Sequence, residues 1–368
     1  LKIGLIIYGS LDTLSGGYLY DRQLVAHLRQ AGCRVEIIAL PWRNYLAHLS
    51  DNFNTQFATA LGRANYDLLL QDELNHPSLA WLNDRIRAHT SAPMIAIVHH
   101  LRGQESHPRW FLPLYRRVEA RYLQSVDGFI YNSRTSCKLV QAITGPTRPG
   151  HIAYPAADHI QPPPRAAILA RIAQRAAGQA PLQVIFVGNL IPRKGLHTLL
   201  AALQPLPHAT WHLHVVGSST VDVGYANKMR ALAIEMGIAP HMTWHGRISD
   251  AQLHALLQSS DCFVLPSYEG FGIAYLEAMA FGLPSIALTT GAAHEIILHA
   301  HNGFLIAPND AIALTNYLAL FSRDRNRLGQ MARAARQTYD SHPTWQQSMV
   351  TVHQWLREIH HTKTHHHP

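Results

Sequence analysis

Short apolar runs alternate with longer amphipathic stretches along almost all of this 368-residue chain, and that alternation leaves few folds open. A continuous apolar run is the mark of a strand buried on both faces, and two parallel strands must be joined by a crossover, usually a helix. Runs of this kind lie at 2–8, 34–40, 68–71, 94–99 and 128–132, with helix-like segments at 17–31, 79–90 and 113–125. Gly32 stands where a helix C-cap belongs, just before the second run. Between Pro155 and Leu182 the pattern loosens: Pro162-Pro163-Pro164 leads into an Ala/Arg-rich stretch that reads as a connection. The rhythm then restarts, with strands at 183–188, 211–216, 242–245, 262–266 and 285–288 and helices at 196–203, 225–236, 249–258 and 273–281. Two rounds of it predict an α/β chain of two doubly wound, Rossmann-like domains facing each other across a cleft. The domains are expected at 1–160 and 183–340, with a linker at 161–182 and a helix-like C-terminal segment with its tail at 341–368.

Composition narrows the chemistry. The hydrophobic fraction of 47% is ordinary globular usage, which excludes a disordered chain, a collagen-like repeat and a coiled coil. Cys33, Cys137 and Cys262 are far apart and form no CxxC, so neither a disulfide framework nor a thiolate zinc site is expected. A reducing, cytoplasmic setting is the simplest reading. Thirty-one basic against 23 acidic residues leave a net charge of +8, spread evenly over the two halves. Without a concentrated basic face, that excess suits an anionic small molecule or an acidic membrane surface better than nucleic acid. No apolar run reaches the roughly 18 residues needed to span a bilayer. The start, from Lys2 to Gly9, reads as a buried strand rather than a signal peptide, having no cationic leader and no small-residue cleavage site. The histidines of the tail, His360-His361 and His365-His366-His367, read as a frayed terminus or a weak metal binder.

In open α/β sheets ligands gather at the carboxyl ends of strands, so the loops there carry the interest. The loop after the first strand ends in Ser15-Gly16-Gly17; it is either an anion-binding helix start or a flexible turn capped by Ser15. It is not GxGxxG and no acidic residue ends the second strand, which disfavours a nicotinamide dinucleotide enzyme. After the first strand of the second half comes Gly188-Asn189-Leu190-Ile191-Pro192-Arg193-Lys194-Gly195, no P-loop, but a turn whose Arg193 and Lys194 can neutralise a diphosphate. The most informative stretch runs from Phe263 to Ala280. A strand ends in Tyr268-Glu269-Gly270-Phe271-Gly272 and passes straight into a helix carrying Glu277. The amides of Gly270, Phe271 and Gly272 crown that helix, and the two carboxylates can accept hydrogen bonds from sugar and ribose hydroxyls.

These residues resemble a known family. Ser260-Asp261 through Pro284, with the Glu-x7-Glu spacing of Glu269 and Glu277, looks like the retaining GT-B glycosyltransferases of family 4, the glycosyl transferases group 1. Gly16-Gly17, Gly188, Lys194-Gly195, Val215-Val216-Gly217, His245-Gly246, His294-Glu295, Asn302-Gly303 and the stretch from Val126 to Ser133 extend the likeness over nearly the whole chain. The resemblance implies an N-terminal acceptor domain, a C-terminal nucleotide-sugar domain and a last helix that packs back on the first. It also implies that Glu269 and the amides after it hold the transferred sugar, Glu277 the ribose and Lys194 the diphosphate. Gly217 and Arg247 join the donor side, and His99 matches a histidine that faces the reacting sugar. Two departures stand out: Asn189 replaces a common arginine, with Arg193 its substitute, and Gly291-Ala292-Ala293 replaces a Gly-Gly and narrows the pocket near Glu295.

The implied reaction moves a sugar from a nucleoside-diphosphate donor to a glycan, lipid or small-molecule acceptor with retained anomeric configuration. No dedicated nucleophile is visible, so the departing phosphate itself assists attack from the front face. Lys194 and Arg193 take the developing charge, with no metal and no other cofactor. Two rivals remain: a GT-B phosphorylase and a non-catalytic protein that binds nucleotide sugars. The interleaved basic and aromatic residues from Arg109 to Arg117 suit peripheral contact with a membrane, or else a crossover helix with a solvated basic face.

Overall fold

The computed structural model describes residues 1–104 and 110–364. The chain folds as two compact units, one formed by Leu1–Pro155 with the C-terminal segment from Pro343, the other by Ala156–His342. The strands of the first unit are β1 (Lys2–Tyr8), β2 (Arg34–Leu40), β3 (Leu68–Asp72), β4 (Met94–Val98), β5 (Gly128–Tyr131) and β6 (Gly150–Ile152). They form one parallel sheet in the order β2-β1-β3-β4-β5-β6. β1, β3 and β4 are mainly apolar because helices cover both their faces; Leu5, Leu69 and Ile95 have no exposed surface. The chain winds outward from β1 to β2 and then returns to add β3 on the other side, so the winding direction reverses between β1 and β3.

The second unit repeats the plan with β7 (Leu182–Val187), β8 (Trp211–Val216), β9 (Met242–Gly246), β10 (Cys262–Val264), β11 (Ser285–Leu288) and β12 (Gly303–Ile306). Their order is β12-β11-β10-β7-β8-β9, all parallel, and the reversal falls between β7 and β10.

Two segments differ from the sequence expectation. The stretch 161–182 is not a bare linker: it carries a helix, Arg165–Ala177, whose Ile168 and Ile172 bury one turn apart against Ala332 of the helix Arg325–Ser341. Asp261 fastens the end of that helix, accepting from Arg175 Nε at 2.7 Å and from the Gln183 amide at 2.8 Å. The helix expected at 79–90 is two short ones, His76–Leu79 and Leu82–Arg87. At the far end of the chain, the helix Trp345–Thr364 lies in the first unit, where Trp345 meets the edge of Tyr20 at 5.7 Å and Gln346 meets His27 at 3.4 Å. Among the described residues no helix is long and apolar enough to cross a membrane. Arg109 and the tail histidines 365–367 lie outside the described residues.

Candidate active site

The reversal between β7 and β10 is where an open sheet leaves a crevice at its carboxyl end, and two of the charged residues singled out from the sequence meet there. Lys194, in the turn after β7, donates from Nζ to Glu269 Oε1 at 2.5 Å; Glu269 enters from the loop after β10. Ser267 Oγ donates to the same oxygen at 2.6 Å, and Arg193 Nη1 lies 3.7 Å away while donating to the Tyr268 carbonyl at 2.9 Å. The Lys194 and Glu269 side chains are each 16% exposed. Burial alone would push the Glu269 carboxyl up. The charges of Lys194 and Arg193 and the hydrogen bonds from Lys194 and Ser267 outweigh it and bring the pKa down to about 2.

Three glycines make this convergence possible, each because a side chain would strike backbone. Gly195 has φ +73°, and a Cβ there would lie 2.2 Å from the Pro266 carbonyl oxygen, so the cationic turn presses on the loop after β10. A Cβ on Gly291, at φ +77°, would lie 2.5 Å from the Glu269 carbonyl oxygen, which accepts from the Ala292 amide at 2.9 Å. Gly217 lies against Gly188, where a Cβ would come within 1.9 Å of the carbonyl oxygen. Gly188 in turn leaves room for the Lys194 stem. The loop from Gly291 therefore braces Glu269 through its backbone, while Ala292 and Ala293 turn into the core, fully buried.

The helix Ile273–Ala280 begins at Gly272, φ +95°, with no side chain capping its first turn. By contrast Ser15 Oγ caps the helix Gly16–Gln30 of the first unit, accepting from Tyr18 N at 3.3 Å. Of the two loops read as anion-binding helix starts, the second is the one without a side-chain cap. Phe271 is buried against the ring of His342, whereas Asn189 and Arg247 are exposed. Glu277, one turn into the helix, pairs with His159 Nε2 at 3.0 Å. Asn302 is a structural residue: fully buried, it accepts from Leu298 N and donates to the Ile296 carbonyl and Thr338 Oγ1.

His99 ends β4 in the first unit, nearly buried, with Nε2 at 3.1 Å from Asp21 Oδ1. Gly17 lies against its ring; a Cβ there would come within 3.1 Å of His99 Cδ2. Asp72, at the end of β3, completes a group whose nitrogen and oxygen atoms all lie within 4.8 Å of one another. Burial and the neighbouring Asp21 push the Asp72 carboxyl up to about 7, with the His99 charge opposing them. For His99, burial pulls the pKa down, but the charge and hydrogen bond of Asp21, helped by Asp72, raise it overall. Glu73, His76 and Glu119 form a second buried group of the same kind. Both groups are compact enough for a divalent cation, and the first is equally compact enough for a proton held between its two carboxylates.

Comparison with known proteins gives the frame for these sites. Residues 171–338 match the family model described as glycosyl transferases group 1. A GDP-mannose-dependent alpha-(1-6)-phosphatidylinositol monomannoside mannosyltransferase of Mycobacterium tuberculosis is 28% identical over 292 residues, 76% of this chain and 73% of the relative. Sucrose-phosphate synthase from Thermosynechococcus elongatus superposes with a TM-score of 0.80 at 20% identity, covering 97% of this chain and 98% of that one. HepE from Anabaena, solved in complex with UDP and glucose, gives 0.72 at 20% identity over 97% and 98%. The chain is a GT-B glycosyltransferase.

Within this glycosyltransferase, the sequence reading located Lys194, Arg193 and Glu269, which the structure brings together, and Glu277 and His99, which it gives partners of their own. It missed Ser267, His159, Asp21 and Asp72, and it named Gly291 without its contact with Glu269. Of these, Ser267 had a signal, two residues from Glu269 on an extended loop. Asp21 and Asp72 had none, because 78 residues separate Asp21 from His99 along the chain.

Proposed function

We propose that this glycosyltransferase takes a sugar from a nucleoside-diphosphate donor and passes it to a glycan or lipid acceptor with retention of the anomeric configuration. The observation that carries the reading is the Lys194–Glu269 pair at the reversal point between β7 and β10, beside a helix start with no side-chain cap. A diphosphate entering there competes for Lys194, and a sugar hydroxyl takes the place of the ammonium on Glu269. Lys194 and Arg193 then face the phosphate oxygens, the turn before Ile273 presents its amides, and Glu277 accepts from the ribose. The relatives support a nucleotide donor: one is named for GDP-mannose, and HepE is solved with UDP-glucose.

In the reaction, the bond from the anomeric carbon to the phosphate oxygen breaks and that carbon bonds to the acceptor oxygen on the same face. The acceptor's proton goes to the departing phosphate. Charge grows on the leaving oxygens and on the sugar ring, so fixed cations at Lys194 and Arg193 lower the barrier without a metal; one such donor is worth about 2.7–4 kcal/mol. His99 of the first unit contacts the reacting sugar. The test is transfer of labelled sugar by Lys194→Ala and Glu269→Ala, paired with thermal shifts in UDP, GDP, ADP and their sugars. Loss of transfer with the fold intact and a selective shift by one nucleotide is expected; near-normal turnover by either variant refutes the assignment.

The acceptor side points to a membrane. Trp110 is 80% exposed and Phe111 40% exposed, ahead of the helix Leu112–Ser125, which turns Arg116 and Arg117 outward and buries Val118, Tyr122 and Leu123. Exposed aromatics beside arginines suit an anionic lipid surface, and Cys33, Cys137 and Cys262, which form no disulfide, suit the cytoplasmic side of it. Co-sedimentation with anionic but not neutral vesicles is expected, and binding indifferent to lipid charge refutes it.

A further inference from the structure

The first unit spends two buried carboxylates on one histidine. Asp21 and Asp72 have no exposed surface, and each keeps one oxygen, Oδ2, without a hydrogen-bond partner. The other oxygens are used: Asp21 Oδ1 by His99 Nε2 and Asp72 Oδ1 by the Leu74 amide at 2.9 Å. Two ionised carboxylates buried this closely repel one another, and an orphaned oxygen in the interior is costly. One proton on Asp72 removes the repulsion between the two carboxylates and gives the buried pair a donor, which two ionised carboxylates lack. The remaining negative charge on Asp21 then matches a protonated His99, and the buried group is neutral.

Everything else around the ring fixes its place. Asn132 Nδ2, just beyond β5, donates to the His99 carbonyl at 2.6 Å, and Asn132 Oδ1 is held by Ser136 Oγ at 3.0 Å. Tyr20 meets the imidazole edge-on at 5.4 Å, and Gly17 leaves the space the ring occupies. Gly17 at the helix start thus serves the histidine directly, while Ser15 caps that helix.

We propose that Asp21 is a positioning residue for sugar transfer: its buried carboxylate, backed by Asp72, takes the Nε2–H of His99 and leaves Nδ1 as the atom offered to substrate. The proposal rests on the reading of His99 as a substrate contact. The charged or titratable groups facing the ring are Asp21 and Tyr20 from the helix Gly16–Gln30 and Asp72 from the end of β3. Tyr20 stays neutral because burial pushes its phenol far up.

The test combines kinetics over pH with nitrogen-15 NMR of the histidines in the full chain, for the wild type and His99→Ala, Asp21→Asn and Asp72→Asn. His99→Ala should lose about a hundredfold or more in kcat. Asp21→Asn should lose on the order of a hundredfold in kcat, as a misplaced group does, with KM changed by less than about threefold. It should also lower the His99 titration midpoint by roughly one pH unit or more. Asp72→Asn keeps the shape and the hydrogen of a protonated Asp72, so it should lose any break in the profile near pH 7, and a break that persists there overturns the placing of the proton on Asp72. Asp21→Asn with normal kcat and an unmoved midpoint overturns the proposal. Should His99→Ala turn over normally while Asp21→Asn still moves the midpoint, the reading of His99 fails and the held ring survives as structure. If Asp21→Asn does not fold, the wild-type spectrum decides: an Nε2–H ring titrating above 6.5 supports the proposal, and an Nδ1–H ring or a lower midpoint overturns it. Tight binding of Mn2+ that broadens the His99 signals also overturns it, because a cation then replaces the proton.

Discussion

Replacing Lys194 by Met removes the ammonium and keeps most of the stem, so it isolates the charge that Glu269 depends on. In the wild type Glu269 titrates at about 2 against an ordinary 4.5, a difference of about 3 kcal/mol in favour of the charged form. A carboxyl whose pKa falls on folding adds stability that is complete above the unfolded value and disappears as pH drops through the folded one. For Glu269 that window runs from about 4.5 down to about 2. Without Lys194 the burial cost stays, and Arg193 at 3.7 Å and Ser267 are the partners left in the loop. The Glu269 pKa should then return to the ordinary range or above. Lys194→Met should therefore cost about 3 kcal/mol at neutral pH. That gap should narrow below about pH 4.5 and fall to less than half by about pH 3. Because the chain has two units, a single unfolding free energy is poorly defined, and the readout should be urea-dependent hydrogen exchange of peptides from β7 and β10. A gap of the same size at neutral pH and at pH 3 would show that Lys194 stabilises the unit by packing, and the electrostatic account would be wrong.

Three other outcomes follow from the geometry. Gly195→Ala and Gly291→Ala should each abolish transfer and destabilise the second unit by more than Gly237→Ala. All three have positive φ, but Gly237 has nothing within 4 Å of a Cβ and should cost only the left-handed penalty of about 1–2 kcal/mol. Equal losses at the three positions, by thermal denaturation, would contradict the close-approach argument. Glu277→Gln should raise the donor KM about tenfold, one charged hydrogen bond, while changing kcat little; a pure kcat effect would remove Glu277 from ribose binding. Asp72 is raised on folding, so the folded state holds its proton longer and stability falls as pH rises from the ordinary value of 3.8 to about 7. Asp72→Asn should flatten that fall in the first unit, and an unchanged pH profile of exchange protection would show that Asp72 is not protonated there.

Much of this was legible in the chain because it is local. Ten of the strands announce themselves as apolar runs, so the loops after them could be searched for charged residues. Lys194 and Glu269, 75 residues apart, each stood out in such a loop, and the family resemblance assigned both to one donor; their adjacency comes from β7 lying beside β10. β6, Gly150-His151-Ile152, has no unbroken apolar run to announce it, and β12 was not read from the sequence either. The helix Arg165–Ala177 looked like a connection because its apolar stripe is narrow, and only the facing helix Arg325–Ser341, itself absent from the sequence reading, gives that stripe something to bury against. Gly291 was read with its neighbours as a narrowing near Glu295. Its positive φ and its contact with Glu269 depend on a loop meeting a loop, which no local rule encodes. Pairings such as His159 with Glu277, 118 residues away, are tertiary in the same sense.

The two units apply one topological device to opposite electrostatic ends. Each reverses its winding beside its first strand, and each buries a carboxylate near the point of reversal. At Glu269 the counter-charge comes mainly from a lysine and an arginine, and the carboxyl is driven down to about 2, so it is ionised throughout the neutral range. At Asp72 the counter-charge is a histidine already committed to a second carboxylate, and the group is left titrating near neutrality. If the donor binds as proposed, permanent cations at Lys194 and Arg193 make its clamp indifferent to pH, whereas the proposed proton on Asp72 makes the histidine's setting responsive to it. A break in turnover that arises at this group should follow Asp72, Asp21 and His99, and exchanging Lys194 or Arg193 should lower the whole profile without moving it.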